Sequence, residues 1–341
     1  MKRALRLLGG PVGTVLLVAV MMSIVMAVAG TSPIEGFGAL FLGALGGPRQ
    51  LAETLAQTTA LLFPALGICL AFRAGLFNIG AEGQMLLGGL AAGAIGAAFV
   101  GPGWLAIVLL LGGGFLGGAL WGALAGWMKS RFQANEIIST LMLNYVAISI
   151  ANFLVAGPLK SPLAVGAETA PLPPSSWLPA LVPDTRLSIA LLIALAIAGV
   201  LQFVFTRTVF GYELRALGEA PEAARRNGVN IARLTWLAMG ISGGIAGLGG
   251  AAIVAGELHR FNTSLSPGYG FTAIAVALVG DLHPLWICLA AFGFGILETG
   301  GLAMQAGANV PKDAIHLIEG IIILVLAARR YVTTRVEVPA A

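Results

Sequence analysis

The stretch FNIGAEGQM, residues 77–85, places Asn78, Glu82 and Gln84 among apolar neighbours. A carboxylate and two amides in such company can line a path for a polar solute. They can equally brace backbone groups that an interrupted helix leaves unpaired, and the carboxylate can carry a proton. Asn78 and Glu82 stand four residues apart and share a face wherever the chain is helical. Gly75, Gly80 and Gly83 lie among them and let the backbone leave the helix. A carboxylate near the middle of a bilayer costs roughly 3 kcal/mol on insertion scales, so its surroundings must compensate. Thr140 and Asn144 form a second polar pair at i, i+4, with Asn152 off that face. Path lining and interhelical glue are both open to this pair.

The elements that must position these residues follow from composition. Of 341 residues, 58% are hydrophobic and only 10% charged, and the mean hydropathy is +0.93. Apolar runs of about 20 residues recur from end to end, the length a helix needs to cross a hydrocarbon core. The fold class is therefore all-α, a polytopic membrane protein of about ten transmembrane helices, and a β-barrel would show short alternating strands instead. The spans fall near residues 11–30, 51–72, 78–99, 104–128, 137–156, 187–206, 232–255, 269–281, 284–303 and 314–328, the eighth being too short for a full crossing. The opening MKRALRLLGG with its apolar run imitates a secretory signal, but the run is longer than a signal core and reads as a retained first helix. The basic balance reflects membrane topology and not nucleic acid. Cys69 and Cys288 lack Cys or His neighbours at ligand spacing, so neither a disulfide nor a metal site is expected.

Orientation follows from the basic residues. With the N-terminus inside, Lys2, Arg3, Arg6, Arg73, Lys129, Arg131, Arg207, Arg215, Arg225, Arg226, Arg233, Arg329, Arg330 and Arg335 fall on the cytoplasmic side. Arg49, Lys160, Arg186, Arg260 and Lys312 fall outside, and this asymmetry puts both termini in the cytoplasm. Residues 157–186 carry seven of the 17 prolines and read as a stiff external loop within a single permease domain spanning 1–341. Gly114, Gly118, Gly122 and Gly126 repeat at intervals of four, a smooth ridge for close helix packing.

FNIGAEGQMLLGGLAAG has an echo at 261–280, FNTSLSPGYGFTAIAVALVG. Both begin Phe-Asn, pass a glycine-containing polar patch and enter a small-residue helix, and the spans before them run in opposite directions. That is the sign of an inverted repeat with broken helices near the midplane, and it adds Asn262 to the path candidates. The cytoplasmic segment 207–231 contains Gly218, Glu219, Ala220, Pro221, Glu222 and Ala223, then Arg225, Arg226 and Gly228. Pro221 fits the first turn of a short helix with Glu222 near its positive end, and Asn227-Gly228 is a helix stop with positive φ expected at the glycine. A helix bounded at both ends, and unnecessary for spanning, reads as a docking element.

These residues carry a resemblance. FNIGAEGQM, NEIISTLMLNYVA at 135–147 and RALGEAPEAARRNGVN at 215–230 resemble the permease subunits of bacterial ABC importers of the ribose and branched-chain amino-acid permease superfamily, nucleoside and simple-sugar branch. The likeness extends over nearly the whole length. The resemblance implies that residues around Gly218–Gly228 form a coupling helix seated in a groove of an ATPase. It also implies a second, shorter permease as heterodimer partner, a cytoplasmic ATPase with two fused nucleotide-binding halves that binds ATP and Mg, and an external substrate-binding protein. The location implied is the bacterial inner membrane, in contact with lipid and with no nucleic-acid partner. This chain would hold no cofactor: it contains no GxxxxGK[ST] sequence and is not expected to be an enzyme. Two alternatives stay open, an ion-coupled transporter in which Glu82 titrates and an ABC permease for branched-chain amino acids.

Overall fold

The computed structural model describes residues 11–28 and 30–308, together with Leu317 and Gly320. Among the described residues the regular structure is helical, apart from isolated bridges at Glu168–Asn262 and Ala180–Ser188. The helices are α1 (Pro11–Val28), α2 (Pro33–Leu45), α3 (Pro48–Arg73), α4 (Ala81–Ala98), α5 (Gly103–Phe132), α6 (Glu136–Ala156), α7 (Ala190–Arg207), α8 (Val209–Glu219), α9 (Pro221–Arg226), α10 (Ile231–Ile253), α11 (Tyr269–Val279) and α12 (Pro284–Ala308). Side chains set several of the starts. Asn135 Oδ1 accepts from Ile137 N at 2.9 Å to cap α6, Thr208 caps α8 through Gly211 N, and Asn230 caps α10 through Arg233 N. Pro221 stands at the first turn of α9, and Gly228 just beyond it has φ +86°, with Val229 N bonded back to Ala224 O.

Six helices among the described residues are long and apolar enough to cross a membrane: α3, α5, α6, α7, α10 with its extension to Leu258, and α12. They become up to seven if the bent pair formed by α1 and α2 is one span. The count of ten is thus not reached, for local reasons. Glu82, Gln84 and a run of glycines lower the hydropathy of α4. Eleven residues give α11 a length of only about 16 Å. The span expected at 314–328 lies outside the described residues, and α2 was not foreseen. The α3 and α10 stretches are 78% and 83% buried, against 22% in α5 and 28% in α6 and α7, so α3 and α10 are the inner helices.

The chain divides into two compact units, residues 1–54 with 293–341, and residues 55–292. In the first, Thr54 Oγ1 donates to Ala44 O at 2.8 Å and Gly300 packs against Leu40. In the second, the glycine ridge of α5 lies on α10. Side chains built on Gly114, Gly118, Gly122 and Gly126 would overlap Ala251, Gly243, Met239 and Trp236 in turn, so the two helices touch closely over about three turns. The π-helical turn Val254–Leu258 continues α10 to the proline-rich segment, which is pinned there. Leu172 N and Leu178 N donate to His259 O and Ala255 O, Arg186 and Arg260 pair with Glu257 and Glu168 at 2.7 Å, and Trp177 stacks on His259.

Replacing Gly247, whose Cα abuts Gly118, by valine should lower the unfolding midpoint in detergent by the equivalent of about 1–3 kcal/mol. Gly112→Val, at a position with open space around the missing Cβ, should leave the midpoint within error.

Candidate functional site

Helix α3 closes with Leu76 N bonded to Ala71 O and Gly75 N to Phe72 O, with Gly75 left-handed at φ +70°. Residues 76–80 then run without helical bonding before α4 begins at Ala81. The Ile79 backbone groups in this stretch are taken up by side chains of another helix, α6. Asn144 of α6 donates through Nδ2 to Ile79 O at 2.9 Å and accepts from Gly83 N at 2.9 Å. Thr140 Oγ1 accepts from Ile79 N at 3.2 Å and itself donates to Glu136 O at 2.6 Å. The pair at i, i+4 therefore clasps both backbone groups of Ile79.

Asn78 and Gln84 form a reciprocal amide pair. Asn78 Nδ2 donates to Gln84 Oε1 at 2.8 Å, and Gln84 Nε2 returns the bond to Asn78 Oδ1 at 3.0 Å. Asn78 Oδ1 also accepts from Gly80 N, and its second N–H goes to Ser242 Oγ of α10 at 2.8 Å. Every donor and acceptor of this fully buried amide is thus used. Glu82 is 7% exposed and points elsewhere. Its Oε2 accepts from Gly270 N, at the start of α11, at 2.7 Å, and the Ser266 side chain and Gly268 backbone bond to it as well. A Cβ on Gly270 would overlap the Glu82 backbone, so the absence of a side chain lets the two helix starts meet. The carboxylate consequently sits in the first turn of its own helix and against the first turn of another, where both dipoles favour negative charge.

The geometry brings Asn78, Gln84, Thr140 and Asn144 into one network and Glu82 into an adjoining one. Asn262 joins neither. Its Oδ1 accepts from Ser264 N at 3.0 Å, the same two-residue turn that Asn78 makes with Gly80, and its backbone bridges to Glu168. Sequence reasoning missed Ser242, which is indistinguishable from its glycine neighbours as a small packing residue, and Ser266. It missed the bond from Tyr269 Oη to Gln57 Oε1 at 2.7 Å, although AQTTA at 56–60 is a polar patch of the same kind as the one it noticed. The segment Gly218–Gly228 lies in α8, α9 and the stop that follows, with Glu219, Pro221, Glu222, Ala223, Arg225 and Arg226 exposed. Between these helices is a groove of about 510 Å³ that includes Tyr212, Arg215, Glu219, Ala223 and Asn227 in its walls. Helix α8 was not foreseen, although Thr208 as a cap and inward-facing Leu214 and Leu217 mark it.

Asn144→Leu would orphan the buried Ile79 C=O and Gly83 N–H, each at about 1–3 kcal/mol. Its unfolding midpoint in detergent should fall well below that of Asn152→Leu, which alters an exposed residue of the same helix.

Residues 50–327 match the family described as branched-chain amino acid transport system / permease component. The guanosine ABC transporter permease protein NupP of Bacillus subtilis is 34% identical over 90% of this chain and 89% of its own length. The glucose ABC transporter permease protein TsgB13 of Haloferax volcanii is 32% identical over 95% of this chain and 88% of its own. The nucleoside ABC transporter permease protein NupB of Lactococcus lactis is 31% identical over 90% and 87%. From the same two bacterial species, NupQ and NupC also match, at 26% and 28% identity. No solved structure matches.

Proposed function

The chain belongs to the branched-chain amino acid transport system / permease component family, and we propose that it is the membrane subunit of an ATP-driven importer of nucleosides or related ribosides and simple sugars. The relatives named above as guanosine, nucleoside and glucose permeases favour that substrate class over branched-chain amino acids. ATP and Mg would be bound by a separate ATPase with two fused halves. The other partners are a second, shorter permease, as the paired names NupP with NupQ and NupB with NupC suggest, and an external binding protein. On this reading residues 1–341 form one permease domain.

The observation that carries this reading is the seating of the docking segment on the foot of the polar break. The Gly218 and Gly75 backbones abut so closely that neither position has room for a Cβ. Gly75 is three residues from Asn78. Movement imposed on α8 and α9 by an ATPase thus reaches the broken segment directly. On this reading Arg73 stands at the cytoplasmic interface and Glu82, across the break from it, lies toward the midplane, where an inverted repeat places its substrate. Asn78, Glu82, Gln84, Thr140, Asn144 and Asn262 border the path, chiefly as its scaffold. In this arrangement the termini are cytoplasmic, the proline-rich segment is external, and α4 and α11 are broken spans counted toward ten.

Proteoliposomes holding this chain alone should take up no guanosine or glucose under a proton or sodium gradient. Adding the second permease, the ATPase, ATP and the binding protein should start uptake. Uncoupler-sensitive uptake by the lone chain would overturn the proposal.

A Cβ at Gly228 meets nothing within 4 Å, so the main penalty of Gly228→Val is the left-handed backbone, on the order of 1–3 kcal/mol. Membrane insertion should be unchanged while co-purification with the ATPase, or substrate-stimulated hydrolysis, falls several-fold.

A further inference from the structure

Arg73 ends α3 and, as a basic residue at the end of a span, has an ordinary topological use. Its guanidinium is nevertheless engaged within the protein. Nε donates to Leu282 O at 2.7 Å, and Cζ stands 4.6 Å over the ring of Phe205 near the end of α7. The same carbonyl accepts from Cys69 Sγ, one turn back along α3, at 3.0 Å.

The turn that offers this carbonyl has an unusual backbone. Leu282 N bonds to Ala277 O and Asp281 N to Leu278 O, the pairing of a helix stop whose left-handed residue is ordinarily glycine. Here Asp281 takes that place at φ +50°, and Leu282 follows at φ +54°. Single aspartates visit this region readily, but an apolar branched residue directly after one does not. The bonds from Arg73 and Cys69 hold it there. Helix α11 is in this way fastened at both ends to one short stretch of chain, its last turn to Arg73 and its first to Glu82. Arg73 also meets the docking segment, since a Cβ on Gly218 would stand 2.5 Å from Arg73 O.

We propose that Arg73 is a positioning residue for transport, which passes displacement of α8 to the last turn of α11 and so to the junction at Glu82. This rests on reading the chain as the permease of an ATP-driven importer. A topological charge needs only a cation at this place, whereas the proposed role needs a planar group that reaches Leu282 O while covering Phe205, which an ammonium does not supply.

The test uses the complete complex, with its second permease and ATPase, in proteoliposomes with the binding protein, and follows guanosine and glucose uptake against ATP hydrolysis. Arg73→Ala should keep hydrolysis within about twofold of wild type while uptake falls about tenfold, so ATP consumed per solute rises about tenfold. Arg73→Lys, which preserves the charge that orients the chain, should also lose uptake several-fold with normal assembly. Adding Leu282→Gly to Arg73→Ala keeps the left-handed turn without restoring the link through the guanidinium, so uptake should stay low, and its return to the wild-type level would show a merely structural role and overturn the inference. Wild-type uptake by Arg73→Lys, or uptake and hydrolysis falling in parallel, would overturn the inference alone. A wild-type complex that hydrolyses ATP yet accumulates neither solute would overturn the importer reading, and this inference with it.

Discussion

An interrupted backbone in apolar surroundings must find every hydrogen bond inside the protein, and the second unit is arranged around that demand. The break at residues 76–80 leaves the Ile79 peptide and the first amides of α4 without helical partners. Asn144 and Thr140 take the Ile79 groups, Asn144 also takes Gly83 N, and Asn78 takes Gly80 N. Serving them requires α6 within one side-chain length on one side and α10, through Ser242, on the other. The carboxylate of Glu82 completes the arrangement from the opposite direction, because it satisfies amides at the start of α11 that would otherwise face no acceptor.

That proximity is possible only where helices lack bulk. Helix α10 is glycine-rich from Gly240 to Gly250, and its backbone approaches α5 along the ridge and α4 at Gly88 and Gly250. In a membrane the association gains little from the hydrophobic effect, so the contact rests on van der Waals fit and on the few polar bonds it encloses. Phe115 and Phe63 fill the space over Gly244 and Gly249, which explains why those positions also lack side chains. The large apolar residues point the other way. Leu116, Leu120, Trp127, Met142 and Phe153 are exposed, as suits lipid or a second permease.

Much of this was legible in the residues. The four-residue glycine period identified the packing face of α5, because a repeat at that interval leaves one stripe bare whatever it meets. Proline 221 and Asn227-Gly228 bounded α9 because both act locally on φ. The polar island was conspicuous, but its division of labour was not. Asn78 and Glu82 share a face only where the chain is helical, and because Asn78 precedes α4 the two turn to different partners. Ser242 and Ser266 escaped notice because a serine among small residues has no distinguishing pattern. Arg73 was read as a topological charge because its acceptor lies more than 200 residues away and is a backbone carbonyl, to which side-chain patterns are blind. Fewer than ten spans stand out among the described residues because Glu82, Gln84 and the glycines lower the hydropathy of α4 and because α11 has only eleven residues.

The meeting of Gly75 and Gly218 has an evolutionary consequence. Two glycines present only main-chain atoms to each other, so the junction carries no chemical identity that a mutation nearby must match. The charged side chains of α9 point away from it and are exposed. On the proposed reading, what an ATPase recognises and what it pushes are therefore borne by separate atoms. The pattern of Glu and Arg on α9 can then change to suit a different engine without altering the main-chain joint beneath it.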